Sequence, residues 1–161
     1  MRWAQRGFSL IELLIVVAII MIIAAISIPD FLKSRMAANQ ASAVSSLRVI
    51  NSAEIMYNAS YQKGYSPTYA ALKVPPAGVL PSVGAAALID DVLGTGVKSG
   101  YTFTYVPNTP DPQGNFLGYT VTGNPTTPGG TGEVRYFTDS SYVIRFNNAH
   151  TASSTDMPLS R

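Results

Sequence analysis

FSLIELLIVVAIIMIIAAISI, running from Phe8 to Ile28, is the stretch that decides the fold. Leu13 to Ile26 is wholly apolar, and a single charge, Glu12, stands near the start of the run. With a rise of about 1.5 Å per residue, these 21 positions form a helix of roughly 30 Å, long enough to cross a bilayer. Arg2 and Arg6 lie ahead of it, and Asp30, Lys33 and Arg35 lie behind it. Basic residues on both flanks give no orientation by charge alone; a short leader with a large C-terminal part outside the cytoplasm is the preferred reading. A cleaved secretory signal is the alternative, with Ala25, Ile26 and Ser27 as small residues near a cleavage site. Against it stand the length of the run and the acid planted in its start, since a carboxylate in lipid calls for a partner.

The composition of the whole chain calls for a globular domain beside this segment. The chain has 161 residues, 47% hydrophobic and only 12% charged, with a formal net charge of +2. That is enough apolar content for one core and too little chain for a multidomain enzyme. Eleven basic against nine acidic residues leave no broad basic field, so no nucleic-acid partner is expected. With no cysteine, disulfides and thiolate metal sites are excluded, and packing alone must hold the head together.

Arg6-Gly7-Phe8-Ser9-Leu10-Ile11-Glu12, followed by the apolar run and Pro29, resembles the class III signal of type IV pilins and of type II secretion pseudopilins. The resemblance is close over residues 6–35 and only architectural beyond the following helix. It implies cleavage after Gly7 by a prepilin peptidase, which also methylates the new N-terminal Phe8. Gly7 offers the least steric obstruction beside that bond, and loss of Arg2 and Arg6 leaves nine basic against nine acidic side chains. It further implies a subunit held in the bacterial inner membrane by a single span. There an assembly platform adds it to copies of itself and other pilins in an extracellular pilus or a periplasmic pseudopilus. Met21 stands where similar pilins often carry glycine midway along the helix. In a bundle of parallel helices Glu12 can meet the Phe8 ammonium of a neighbouring subunit, each charge relieving the other's burial penalty. The simpler reading is that Glu12 only stabilises its own helix N-terminus. Phe8, Glu12 and Pro29 are the assembly candidates.

Pro29 lacks an amide hydrogen and is expected to bend or break the helix. Beyond it, Asp30 to about Lys63 is again helical in pattern: Val44, Leu47, Ile50, Tyr57 and Tyr61 recur at three- and four-residue steps or their multiples, with Val49, Ala53 and Met56 beside them. The expected organisation is a leader at 1–7, a long helix at 8–63 divided into an assembly half (8–28) and an amphipathic half (29–63), and a head at 64–161. Gly64 and Tyr65-Ser66-Pro67 stop the helix, and an Ala-, Gly- and Pro-rich linker follows from Tyr69 to Ser99, with a short helix around Ala85 to Val92. Alternating patterns at Tyr101 to Val106, Tyr119 to Thr122, Val134 to Thr138 and Tyr142 to Phe146 predict about four antiparallel strands, with turns at Asp111 to Asn115 and Asp139 to Ser141. Gly123 to Gly132 and the stretch from Asn147 read as loops. The fold class is therefore α+β, a long N-terminal helix with a C-terminal antiparallel head.

Catalytic look-alikes fail on chemistry. Gly94-Thr95-Gly96-Val97-Lys98-Ser99 lacks the glycine a phosphate loop needs before its lysine. Asp111-Pro112-Gln113-Gly114-Asn115 has alternating oxygen donors, but Thr122 stands where a calcium loop carries its bidentate glutamate, and a plain turn explains it better. His150 is the only histidine, so neither a histidine metal site nor a Ser-His-Asp triad has its material. Tyr57, Tyr61, Tyr65 and Tyr69 recur every fourth residue, which reads as aromatic core rather than a stacked functional array. No enzyme activity and no cofactor are expected. The favoured function is a type IV pilus subunit; a secretion pseudopilin and a non-assembling, membrane-anchored periplasmic binding module are the alternatives.

Overall fold

The structure, a computed structural model, describes residues 8–159. These fall into two compact units divided between Arg35 and Met36, and helix α1, Leu10–Tyr61, contributes residues to both. The helix stays unbroken through Pro29. Proline removes one amide from a ladder that continues on either side, and loss of one bond does not end a helix of this length. Every described residue of the first unit is exposed except Ala24, which is half-buried.

In the second unit α1 turns one side to a core. Ala43, Leu47, Ile50, Ala53 and Tyr57 are buried at three- and four-residue steps, with Val44 beside them, while Val49 and Met56 remain exposed. The helix ends at Tyr61 because Gln62 takes φ +53 and Gly64 φ +74, both left-handed. A side chain at Gly64 would run into the Phe116 carbonyl, so glycine is required there for space as well as for conformation.

The segment expected as a linker is ordered by backbone bonds. A short 3-10 helix, Tyr69–Leu72, receives amides of Ala86, Leu88 and Ile89 on its Ala71 and Leu72 carbonyls. Those bonds tie the stretch to the 3-10 helix, and the short helix forms later than expected, as α2 at Asp91–Gly94, where Asp90 accepts the Leu93 amide at 2.7 Å. Six antiparallel strands follow in sequence order: β1 Val97–Lys98, β2 Tyr101–Pro107, β3 Tyr119–Pro125, β4 Arg135–Asp139, β5 Arg145–Asn147 and β6 Met157–Pro158. The four expected strands are β2 to β5, and two-residue strands flank them. Strand β3 runs on into the expected loop, ending at Pro125 opposite Tyr101. Strand β5 starts later than expected because Asp139 to Tyr142 closes a turn, with the Tyr142 amide on the Asp139 carbonyl at 2.8 Å and Tyr142 at φ +62.

Tyr101, Phe103, Tyr119, Val121 and Tyr136 line the inner face of the sheet. Tyr105 stacks on Tyr119 with centroids 5.7 Å apart, and Tyr65 meets Tyr119 edge-on at 5.0 Å. These rings bury the large areas that a cysteine-free core depends on. Among them lies one carboxylate. Glu54 is fully buried on α1, accepting the Ser66 amide at 2.9 Å and the Ser66 hydroxyl at 2.6 Å, and so ties the post-helix turn to the helix.

Candidate assembly site

Of the assembly candidates, Phe8 and Glu12 lie at the start of α1 and Pro29 in its interior. Gly7, the expected cleavage position, lies outside the described residues. Phe8 is 79% exposed and precedes the first helical residue by two positions. Ser9 is the half-in residue whose carbonyl accepts the Leu13 amide at 3.3 Å. Glu12, in the first turn, folds back so that its Oε2 accepts the Ser9 amide at 2.9 Å. This is the carboxylate half of a capping box: it satisfies an amide with no partner inside the helix and places negative charge at the positive end of the helix dipole.

In the isolated chain Glu12 therefore does what the simpler reading assigns to it. The same geometry brings its carboxylate within one residue of Phe8, so the group that would hold a terminal ammonium is already at that end of the helix. Ser9 went unnoticed from sequence, although Ser-x-x-Glu before an apolar run is the signature of such a cap. Pro29 lies in the helix interior with exposed neighbours, Ile28 at 57% and Phe31 at 61%. Within this unit the Arg35 guanidinium sits 5.8 Å from the centre of the Phe31 ring.

Other candidate chemistry dissolves into local structure. Asp111 Oδ1 accepts the amides of Gln113 and Asn115 at 2.9 and 2.8 Å, and its Oδ2 accepts the Asn115 side chain at 3.1 Å. These bonds hold its carboxyl below the ordinary range. Among the described residues no three histidine, aspartate or glutamate side chains gather as metal ligands. His150 is a loop residue, its Nε2 lying 3.0 Å from the Asn147 amide nitrogen.

Helix α1 contains a window long and apolar enough to cross a membrane, and no part of that window is buried within the protein. The family model describing the prokaryotic N-terminal methylation motif matches residues 4–28. The segment is thus similar to the N-terminal segment of type IV pilins. A relative, the type IV major pilin protein PilA of Myxococcus xanthus (strain DK1622), is 51% identical over 50 residues, which make up 31% of this chain and 23% of that protein. The match thus spans less than a quarter of that pilin's length. No solved structure matches. The pilin-type segment heads a pilin-like layout, a long N-terminal helix followed by an antiparallel sheet. The likeness is to a structural family rather than to a family of enzymes.

Proposed function

We propose that this protein is a structural subunit of a type IV pilus, processed between Gly7 and Phe8 by a prepilin peptidase that methylates Phe8. It waits in the inner membrane through the first half of α1 and is then polymerised by the assembly platform with copies of itself and other pilins. The observation that carries this reading is the apolar first unit, exposed along nearly its whole length immediately behind a prepilin motif. Such a surface needs lipid or other helices around it, and polymerisation exchanges one for the other. The relative bearing the similar segment is a major pilin, which favours a pilus over a secretion pseudopilus. Glu12 changes partner on assembly, leaving the Ser9 amide for the Phe8 ammonium of the neighbouring subunit.

The test is the mature N-terminus together with a pellet of sheared filaments. Mass spectrometry should find the protein beginning at methylated Phe8, and Gly7→Val should leave only unprocessed precursor and no pellet. A mature N-terminus at Ile28 would establish a discarded secretory signal and overturn the proposal.

A further inference from the structure

The first unit carries charges that the Glu12 contact does not use. Asp30 and Lys33 are both exposed on α1, and the one ion pair among the described residues is Lys98–Asp90, in the other unit. The Asp30 backbone carbonyl takes the Ser34 hydroxyl at 2.9 Å, while its carboxylate has no basic partner among the described residues. Arg35 is already engaged over the Phe31 ring.

Because α1 is continuous from Leu10 to Tyr61, one axial displacement between parallel copies sets the level of every residue along it. Bringing the Phe8 ammonium of one copy beside Glu12 of the next requires an offset of four residues, about 6 Å. The same offset sets Asp30 of the first copy one residue, about 1.5 Å, from the level of Lys33 in the second. A lysine's four-carbon stem spans that difference easily. Around the helix, Lys33 falls about 60° from Glu12, since twenty-one residues are just short of six turns. It therefore stands on the flank that faces the neighbour at Glu12.

We propose that Asp30 of one subunit pairs with Lys33 of the adjacent subunit, the same subunit whose Glu12 holds the first subunit's Phe8 ammonium. This rests on the filament reading above and adds a second charge register to it. The two pairs, about 30 Å apart along the helix, fix axial displacement together, because a slip of one helical turn breaks both.

The experiment uses the full chain in cells equipped to process and assemble type IV pilins, reading the ratio of sheared filament to processed, membrane-resident subunit. That denominator separates assembly from insertion and cleavage. Asp30→Lys alone and Lys33→Asp alone should each lower the ratio about tenfold, since each places like charges at one interface. Co-expression of the two single variants should restore it to within about threefold, with both chains in the filaments, because opposite charges again meet between chains. Neither variant can form this pair within its own chain, so rescue by mixing identifies a contact between subunits. Wild-type filaments with unaffected single variants, or with no rescue on mixing, would overturn the pairing and leave the filament reading standing. A wild type that is processed but yields no filament would overturn the filament reading itself.

Discussion

Glu54 gives the sharpest test of the second unit. Among the described residues its carboxylate has no salt-bridge partner, and Tyr57, Tyr105, Tyr119 and Tyr142 are titratable groups that sense it. Burial pushes its pKa above the ordinary carboxylate value, opposed only partly by the hydrogen bonds from Ser66 and Tyr105. Glu54→Ala removes the acceptor for the Ser66 amide and opens a cavity in the core. The Ser66 hydroxyl has a second partner in the Tyr105 oxygen at 2.9 Å, so a single donor is left fully unmatched. One orphaned buried amide and a partly collapsed cavity cost together about 2–4 kcal/mol, a fall in Tm of roughly 10 °C for a unit of this size. Glu54→Gln keeps an acceptor for that amide and removes the buried charge, and should lie within about 1 kcal/mol of wild type at pH 7, on the stabilising side.

The pH dependence has a definite sign. The folded pKa is raised above the unfolded one, so the stabilisation from this group is fully present below the unfolded carboxylate pKa and is lost as pH rises through the folded value. Asp111 and Asp156, whose carboxyls are held low by loop hydrogen bonds, act in the opposite sense at lower pH. The clean measurement is therefore the difference between Glu54→Gln and wild type. Thermal melts by circular dichroism on the fragment from Asp30 onward should show the advantage of Gln shrinking as pH falls from neutral toward the ordinary carboxylate range. Parallel profiles for the two proteins, or an Ala variant as stable as wild type, would refute the account of Glu54 as a desolvated clamp.

Two further outcomes follow from the same structure. The fragment from Asp30 onward should be soluble and folded, with melting indifferent to reductant, because the buried face of α1 covers the sheet and no disulfide exists; a random-coil circular dichroism spectrum would contradict the packing described. Glu12→Ala should leave insertion and processing intact, since Gly7 and Phe8 are untouched, while the ratio of sheared filament to processed subunit falls sharply; an unchanged ratio would reduce Glu12 to the capping role it has in the isolated chain.

What the sequence disclosed followed how local each feature's cause is. The apolar run from Phe8 to Ile28 and the stripe Val44, Leu47, Ile50 and Tyr57 are periodic, and they appear as an exposed helix and a buried face. The alternation in β2 and β3 was equally plain. The course of residues 69–99 was not, because the bonds that order it join Ala86, Leu88 and Ile89 to a helix some fifteen residues earlier. The start of β5 depended on the positive φ of Tyr142, a conformation that no propensity assigns to tyrosine. Glu54 was missed although its position was informative: a lone acid on the face shared by Ile50 and Tyr57 signals a buried charge with a specific partner. At the candidate site, Gly7, Phe8 and Glu12 came from motif spacing, whereas Ser9 required attention to the cap rather than to the apolar run.

The distribution of exposed surface bears on what could drive assembly. Exposed isoleucine, leucine and valine side chains cover α1 from Leu10 to Ile28, with Ile11 at 63%, Ile22 at 63% and Ile26 at 67%. In water this surface would impose association without selectivity. In a membrane it does not, because hydrocarbon is as apolar as a neighbouring helix, and transfer from lipid to a helical bundle contributes little hydrophobic free energy. Selectivity must then come from groups for which the two environments differ. On the processing and assembly proposed above, such groups in the first unit include the Phe8 ammonium, Glu12, Asp30 and Lys33, since a charge leaving the headgroup region for a dry bundle is tolerated only where an opposite charge meets it. An assembly controlled in this way tolerates exchange of one aliphatic residue for another, and Ile22→Leu should leave filament yield within about twofold while Glu12→Ala does not. Equal loss from both substitutions would mean that detailed apolar packing, rather than charge placement, sets the register.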